Sequence, residues 1–198
     1  MSKKWVSTIA LSLFLLTVSH GFSEQVFGVD LPPGATPDET LTNLSKESAD
    51  KMQAGVPEAS RIKFEQKVYT TKDSFNDVLA YYEKIFGMKA QAFDPKNPSG
   101  LGPEGFALRQ EVDMKEVASS AKLFNDKLDA TKYEGKVQLA LFNKPKLPMV
   151  QIVDQGLNWQ DGSVIKSTII GITKQPELPA LQTQSAAPSP VTTDTAAK

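Results

Sequence analysis

The chain contains no cysteine and a single histidine, His20. His20 falls inside an amino-terminal segment with the layout of a secretion signal, so the rest of the chain holds neither residue. A fold built from that remainder has no disulfide and no thiolate or imidazole metal site to staple it. Buried apolar surface must hold it together. The same absence removes a Ser-His-Asp triad, a cysteine nucleophile, haem or iron–sulfur ligation and the usual zinc sites from the available chemistry. No catalytic residue, no cofactor and no metal site is therefore expected.

Lys3 and Lys4 form a short basic start, and Val6 to Val18 form an apolar run centred on Leu11, Leu13, Phe14, Leu15 and Leu16. Small residues follow as Ser19-x-Gly21 and Gly21-x-Ser23. That order is a Sec-type signal peptide over residues 1–23, with cleavage after Gly21 or Ser23. The apolar run is shorter than the ~20 residues that span a bilayer. Lipid attachment is excluded because it requires a cysteine. The expected location is the periplasm or the extracellular medium, and export without a disulfide points to a bacterial envelope. Stable membrane insertion after cleavage is not expected.

The 198 residues carry 22 basic and 23 acidic side chains, a formal charge of -1, and loss of Lys3 and Lys4 takes it to -3. Non-specific nucleic-acid binding runs on dense positive charge, so a nucleic-acid partner is not expected. Arg61 and Arg109 are the only arginines, which leaves little capacity for bidentate clamping of anions.

Beyond the signal the chain divides into an extension over 24–36, a single domain over 37–174 and a tail over 175–198. The tail is rich in Pro, Ala, Thr, Ser and Gln, offers too little apolar surface to offset chain entropy and reads as disordered. A domain of about 140 residues buries roughly 70% of its unfolded surface, enough for a core without staples.

Within the domain, Thr36-Pro37-Asp38-Glu39 reads as a helix start, with Thr36 as cap and Glu39 completing a capping box. Leu41, Leu44, Ser48 and Met52 then share a face, and Gly55 stops the helix. Residues 61–70 alternate as a strand with one wet face, with Ile62, Phe64 and Val68 inward. A second helix runs from the Asp73 cap to Gly87, with Phe75, Val78, Leu79, Tyr82, Ile85 and Phe86 at helical spacing. A strand follows in which Phe106, Leu108 and Val112 alternate with Ala107, Arg109, Glu111 and Asp113. Residues 114–130 read as a third helix with Val117, Ala121, Phe124 and Leu128 inward. Three strands close the domain at 136–143, 148–154 and 163–173. The last two are joined by a loop containing Asp161-Gly162, a tight-turn signal. The sum is an α+β fold: an antiparallel-rich sheet of about five strands, with two or three helices mainly on one face and the other face partly solvated.

The run Gly55-Val56-Pro57 to Arg61, followed by Val68-Tyr69-Thr70-Thr71-Lys72-Asp73-Ser74-Phe75, Val78 and Tyr81-Tyr82-Glu83-Lys84, resembles a module of small exported bacterial proteins of unknown function. In them a Val-Pro, a Tyr-Pro-Gly-Ala turn, a strand, a Thr-x-Asp-Ser helix start and a Val-x-x-Phe-Tyr helix occur in order. Pro57-Glu58-Ala59-Ser60 departs from the turn motif. The resemblance covers about 35 residues, implies an exported α+β fold and carries no catalytic residues.

Carboxylates are the main acid–base groups left. Glu111 and Asp113 share a strand face about 7 Å apart, a spacing compatible with a paired-carboxylate hydrolase. A solvated charged face explains them better, because Arg109 lies on the same face. Glu116, Asp126, Asp129, Asp154 and Asp161 fall in exposed settings. The loop 94–100, from Asp94 to Gly100, fails the calcium pattern because Lys96 occupies a ligand position and two prolines stiffen it. Gly100, Gly102 and Gly105 fail the dinucleotide spacing.

Trp159, flanked by Leu157 and Asn158 in the hairpin loop, is the candidate contact. It is either an exposed anchor for a partner or glycan, or a lid folded back over the core, the more economical of the two. The functional expectation is a non-catalytic binding or structural module of the envelope that takes a protein or small ligand. A carboxylate hydrolase and a subunit of a surface assembly are the alternatives.

Overall fold

The computed structural model describes residues 24–94 and 104–175; the predicted signal, the loop 95–103 and the chain from 176 onward lie outside the described residues. Two short strands, β1 (Gln25–Val26) and β2 (Val29–Asp30), open the described chain as an antiparallel hairpin. Its turn is carried by Phe27 and Gly28, both at positive φ. Val26, Val29 and Leu31 are buried in the main core. The segment 24–36, read from sequence as an extension, is thus part of the domain. Its apolar residues are too few to announce themselves locally, but together they cap one face of the sheet.

β3 (Thr36–Pro37) follows and pairs with β4 (Glu65–Thr71) at Thr36↔Thr70 and Pro37↔Tyr69. The expected helix start at Thr36 is therefore displaced by two residues. Asp38 is the cap, its side chain accepting from Leu41 N at 2.9 Å, and α1 runs over Glu39–Met52. Pro37 lacks an N–H and fits an outer edge strand as readily as a first helical turn. α1 ends near the expected Gly55, but Met52 is exposed rather than inward.

Ile62 and Phe64 also turn out exposed, because the strand begins only at Glu65. Within β4 the expected wet face holds at Glu65 and Lys67, which are exposed, but ends at Tyr69, which is buried like its neighbour Val68 on the other face. α2 (Phe75–Phe86) follows expectation closely. Ser74 rather than Asp73 caps it, accepting from Asp77 N at 3.2 Å, and Gly87 ends it at φ +66°. Phe75, Val78, Leu79, Tyr82 and Phe86 form its buried stripe.

The chain then crosses to the far edge of the sheet as β5 (Gln91–Ala92) and returns through β6 (Phe106–Asp113), β7 (Lys136–Asn143) and β8 (Met149–Val153). α3 occupies Met114–Ala121 only, capped by Asp113. The expected continuation to residue 130 gives way to turns, in which Lys122 N, Leu123 N and Phe124 N reach back three residues instead of four. Ser119 and Ser120 favour the helix weakly, and the Asn125 side chain is used elsewhere, donating to Trp159 O. A small hairpin of β9 (Gly156–Leu157) and β10 (Val164–Ile165) precedes the last strand, β11 (Thr168–Lys174). The single strand expected over 163–173 is thus two.

The main sheet has seven strands in the order β3-β4-β11-β8-β7-β6-β5, antiparallel except for β5 against β6. It is larger than the five expected, because the additions are two-residue edge strands that no sequence pattern marks. The α+β class and the antiparallel character hold. The helices, however, do not share one face. Tyr69 clusters with the α2 stripe and the β1–β2 hairpin, whereas Val68 lies beneath α1. Adjacent strand residues point to opposite faces, so α2 and α1 sandwich the sheet. Ala121 of α3 belongs to a cluster with Leu44 of α1 and Trp159, on the α1 side.

β11, last in sequence, is central in space. It pairs with β4 from Thr168↔Thr71 to Lys174↔Glu65 and with β8 from Ile169↔Val153 to Thr173↔Met149. Ile170 and Ile172 are fully buried on its α2 side, and each contributes about 1.5–3 kcal/mol relative to exposure.

Candidate functional site

On the α1 face the sheet and helix do not close completely. A cleft of about 210 Å³ remains between α1, the sheet and the β9–β10 hairpin. Its wall is the α1 stripe of Leu41, Leu44, Ser45 and Ser48, positions spaced for one side of a helix. Its floor comes from three adjacent strands, with Val68, Gly171 and Gln151 side by side in register. Gly171 keeps that floor low: a Cβ there would meet Gln66 Nε2 at 2.9 Å. Leu157 and Ile165 of the hairpin supply the opposite wall.

Trp159 roofs the cleft and is only 9% exposed. Three interactions hold it. Its Nε1 donates to Ser48 Oγ at 3.0 Å, its carbonyl accepts from Asn125 Nδ2 at 2.8 Å, and its ring packs on Phe124 at 5.7 Å between centroids with the planes tilted by 42°. In addition to these, Lys51 Nζ lies over the indole face, 4.0 Å from the ring centroid, a cation–π contact. Ser48 Oγ donates in turn to Leu44 O at 2.9 Å, so its proton is committed and its lone pair faces the indole. The lining is mainly apolar, with four polar side chains converging: Ser45, Ser48, Gln66 and Gln151. Ser45 donates to Gln66 Oε1.

Of the three residues singled out from sequence, Trp159 and Leu157 line this cleft, and Asn158 does not. Asn158 locks the turn, its Oδ1 accepting from Gln160 N at 3.0 Å and its carbonyl from Gly162 N at 2.8 Å. Sequence reasoning missed Gln66, Gln151, Ile169 and Gly171. Two signals were present: serines on an otherwise inward helix stripe, and a glycine inside a strand.

The carboxylates are placed as structural groups. Glu111 pairs with Lys136, whose ammonium is held above its usual range by that contact. Asp113 caps α3 through Lys115 N at 2.8 Å, and Asp154 accepts from Gln138 N at 2.9 Å. Asp129 and Asp161 lock turns by accepting from the hydroxyl and amide of Thr131 and Ser163, and these bonds hold both carboxyls below their usual range. Among the described residues no group of three His, Cys, Asp or Glu side chains is arranged to hold a metal ion. The loop weighed for calcium lies, apart from Asp94, outside the described residues. No protein-family model, no curated protein and no solved structure matches the chain.

Proposed function

We propose that this protein is a non-catalytic binding module of the bacterial envelope, which holds a small, mainly apolar ligand in the cleft roofed by Trp159. The observation that carries the reading is the cleft itself: an apolar space of about 210 Å³ with a preformed aromatic roof and four convergent polar side chains. Ligand sites have this composition, though drug-sized ones run from about 300 Å³ upward. Closed apolar cavities of about 150 Å³ take up benzene-sized molecules, so the fitting ligand is of that size or slightly larger. Engagement of Asp113 in a cap, of Asp129 and Asp161 in turns and of Asp154 with Gln138 N across the sheet supports a binding role over a carboxylate hydrolase. The basic, apolar and small-residue order of residues 1–23 supports export. No helix of the described residues is long and apolar enough to cross a membrane.

The test uses the full chain carrying Trp5→Phe, which leaves Trp159 as the sole tryptophan. Toluene and cyclohexanol are the probes. Saturable change in Trp159 emission with a raised thermal midpoint is expected, because a ligand that binds only the folded state stabilises it. A linear, unsaturable quench with an unmoved midpoint would refute the reading.

A further inference from the structure

The cleft carries more polar capacity than the protein itself uses. Ser48 Oγ is spent, since it accepts from Trp159 Nε1 and donates to Leu44 O. Ser45 has given its proton to Gln66 Oε1. That bond fixes which way the Gln66 carboxamide faces. Its oxygen turns to α1, and its Nε2 lies over the floor, 2.9 Å from where a Cβ on residue 171 would stand. The nitrogen has room there because Gly171 has no side chain. Among the described residues nothing accepts a hydrogen bond from this Nε2.

Gln151 stands on the other side of the same glycine. It is paired with Gly171 across the ladder, and its Cβ lies 3.9 Å from the same point. Its side-chain amide has no hydrogen-bond partner among the described residues. Two carboxamides with unused capacity therefore flank the lowest point of the floor.

Charge is missing where this polarity is present. No described residue that lines the cleft is charged. Lys51, the cation at the roof, is engaged by the Trp159 ring and by Phe124 O at 3.1 Å. An ion in the cleft would give up its water and meet no countercharge, a loss that neutral amides do not repay. A pure hydrocarbon fills the space but strips the water from Gln66 Nε2 and returns nothing to it. An oxygen at that point replaces the water.

We propose that the ligand of the cleft is an uncharged molecule with one hydrogen-bond-accepting oxygen, carbonyl or hydroxyl, on an apolar body. The oxygen sits over Gly171 and accepts from Gln66 Nε2. Gln151 completes the polar end by donating to the second lone pair of a carbonyl or accepting the proton of a hydroxyl. The apolar body lies against Leu41, Leu44 and Trp159. Ser45 is a positioning residue, which holds the Gln66 nitrogen toward the floor. The proposal rests on the reading of the cleft as a ligand site and names the ligand's class.

The experiment uses the full chain with Trp5→Phe and two pairs of like-shaped probes. These are cyclohexanone with methylenecyclohexane, and cyclohexanol with methylcyclohexane. Trp159 emission reads the affinities. Gln66→Met keeps the length of the side chain and removes its donor. It should lower the affinity for an oxygenated probe, relative to its hydrocarbon partner, at least about tenfold. The pair with the larger drop identifies carbonyl or hydroxyl. In the parent chain the Gln66 side-chain amide protons should move downfield with the oxygenated probe and not with the hydrocarbon, a readout independent of how the variant folds. Cyclohexanecarboxylate and cyclohexylammonium should not bind at the same concentrations. Unchanged affinity ratios in Gln66→Met, Gln66 amide protons that no oxygenated probe moves, or an ion that binds as tightly as cyclohexanol overturns the proposal. If the hydrocarbons bind saturably and these contrasts are absent, the ligand class fails and the cleft reading stands. If no probe binds, both fail.

Discussion

The indole N–H of Trp159 donates to Ser48 Oγ at 3.0 Å across 111 positions of sequence, and this bond ties the hairpin loop to α1 over the cleft. Ser48→Ala leaves the indole N–H without an acceptor in a buried setting, which costs about 1–3 kcal/mol. Urea unfolding at pH 7 should show that loss. Trp159 emission should move to longer wavelength as the roof loosens. Matching midpoints and spectra for Ser48→Ala and the parent would mean that packing alone holds Trp159.

Tyr82 is fully buried, and its hydroxyl has no hydrogen-bond partner among the described residues. Burial pushes its ionisation far above the usual tyrosine range. Tyr82→Phe removes an unpaired polar atom while keeping the ring contacts to Phe86 and Phe142, at centroid distances of 6.4 and 6.3 Å. The variant should equal the parent in stability or exceed it by up to about 1 kcal/mol. Destabilisation beyond 1 kcal/mol in thermal unfolding would reveal a partner, such as a bound water, that the hydroxyl needs.

Two glycines should respond differently to alanine. At Gly105, φ is +104° and a Cβ would lie 2.4 Å from Asn143 O, a backbone atom that cannot yield. Gly105→Ala should cost at least about 2 kcal/mol. At Gly171 the obstructing atom is Gln66 Nε2, the end of a flexible side chain. Gly171→Ala should cost less than about 1 kcal/mol but displace the Gln66 amide from Ser45. Denaturation ranks the two, and the Gln66 side-chain amide resonances report the displacement. A reversed ranking would contradict the packing described.

Acid should weaken the fold through carboxylates held by hydrogen bonds. Glu83 accepts from Lys89 Nζ and from Ala90 N at 2.9 Å, and the lysine contact foremost holds its carboxyl below the ordinary 4.5. Asp129 and Asp161 are likewise held below 3.8. A group with a lowered folded pKa binds fewer protons folded than unfolded, so its contribution is full above the unfolded value. That contribution is lost as pH falls through the folded value. Unfolding midpoints should therefore be flat from pH 7 to about 5 and drop below pH 4.5, with a shallower drop in Glu83→Gln. An identical acid slope in that variant would remove Glu83 from the account.

Legibility from sequence followed the range of the interactions. α2 was readable because its cap, stripe and stop are all local, and the cap moved only from Asp73 to Ser74. The bounds of β6 and β7 were readable, but Ala107, placed from sequence on the charged face of β6, is buried in the main core, while Phe106, Leu108 and Val112 are only half-buried. The third helix was overextended because Val117, Ala121, Phe124 and Leu128 keep helical spacing even where the backbone turns. Ile62 and Phe64 alternate as a strand would, but the Gln53 amide rather than another strand takes the main chain of Ile62, and both side chains stay exposed. At the site, Trp159 and Leu157 stood out as apolar residues in a loop, whereas Gln66 and Gln151 looked like any polar strand residues.

The amino-acid sequence by itself determined that the domain has no staple, that its core is made of short amphipathic pieces and that its class is α+β. These follow from residue type and spacing, which act within one turn or one strand. Only the tertiary structure decided that β11 lies between β4 and β8, that α1 and α2 take opposite faces, and that residues 24–36 belong to the core. It alone put Trp159 over Ser48 to roof a cleft with Gly171 on its floor. Those outcomes depend on which apolar faces meet across tens of residues, and burial is blind to the order of the chain.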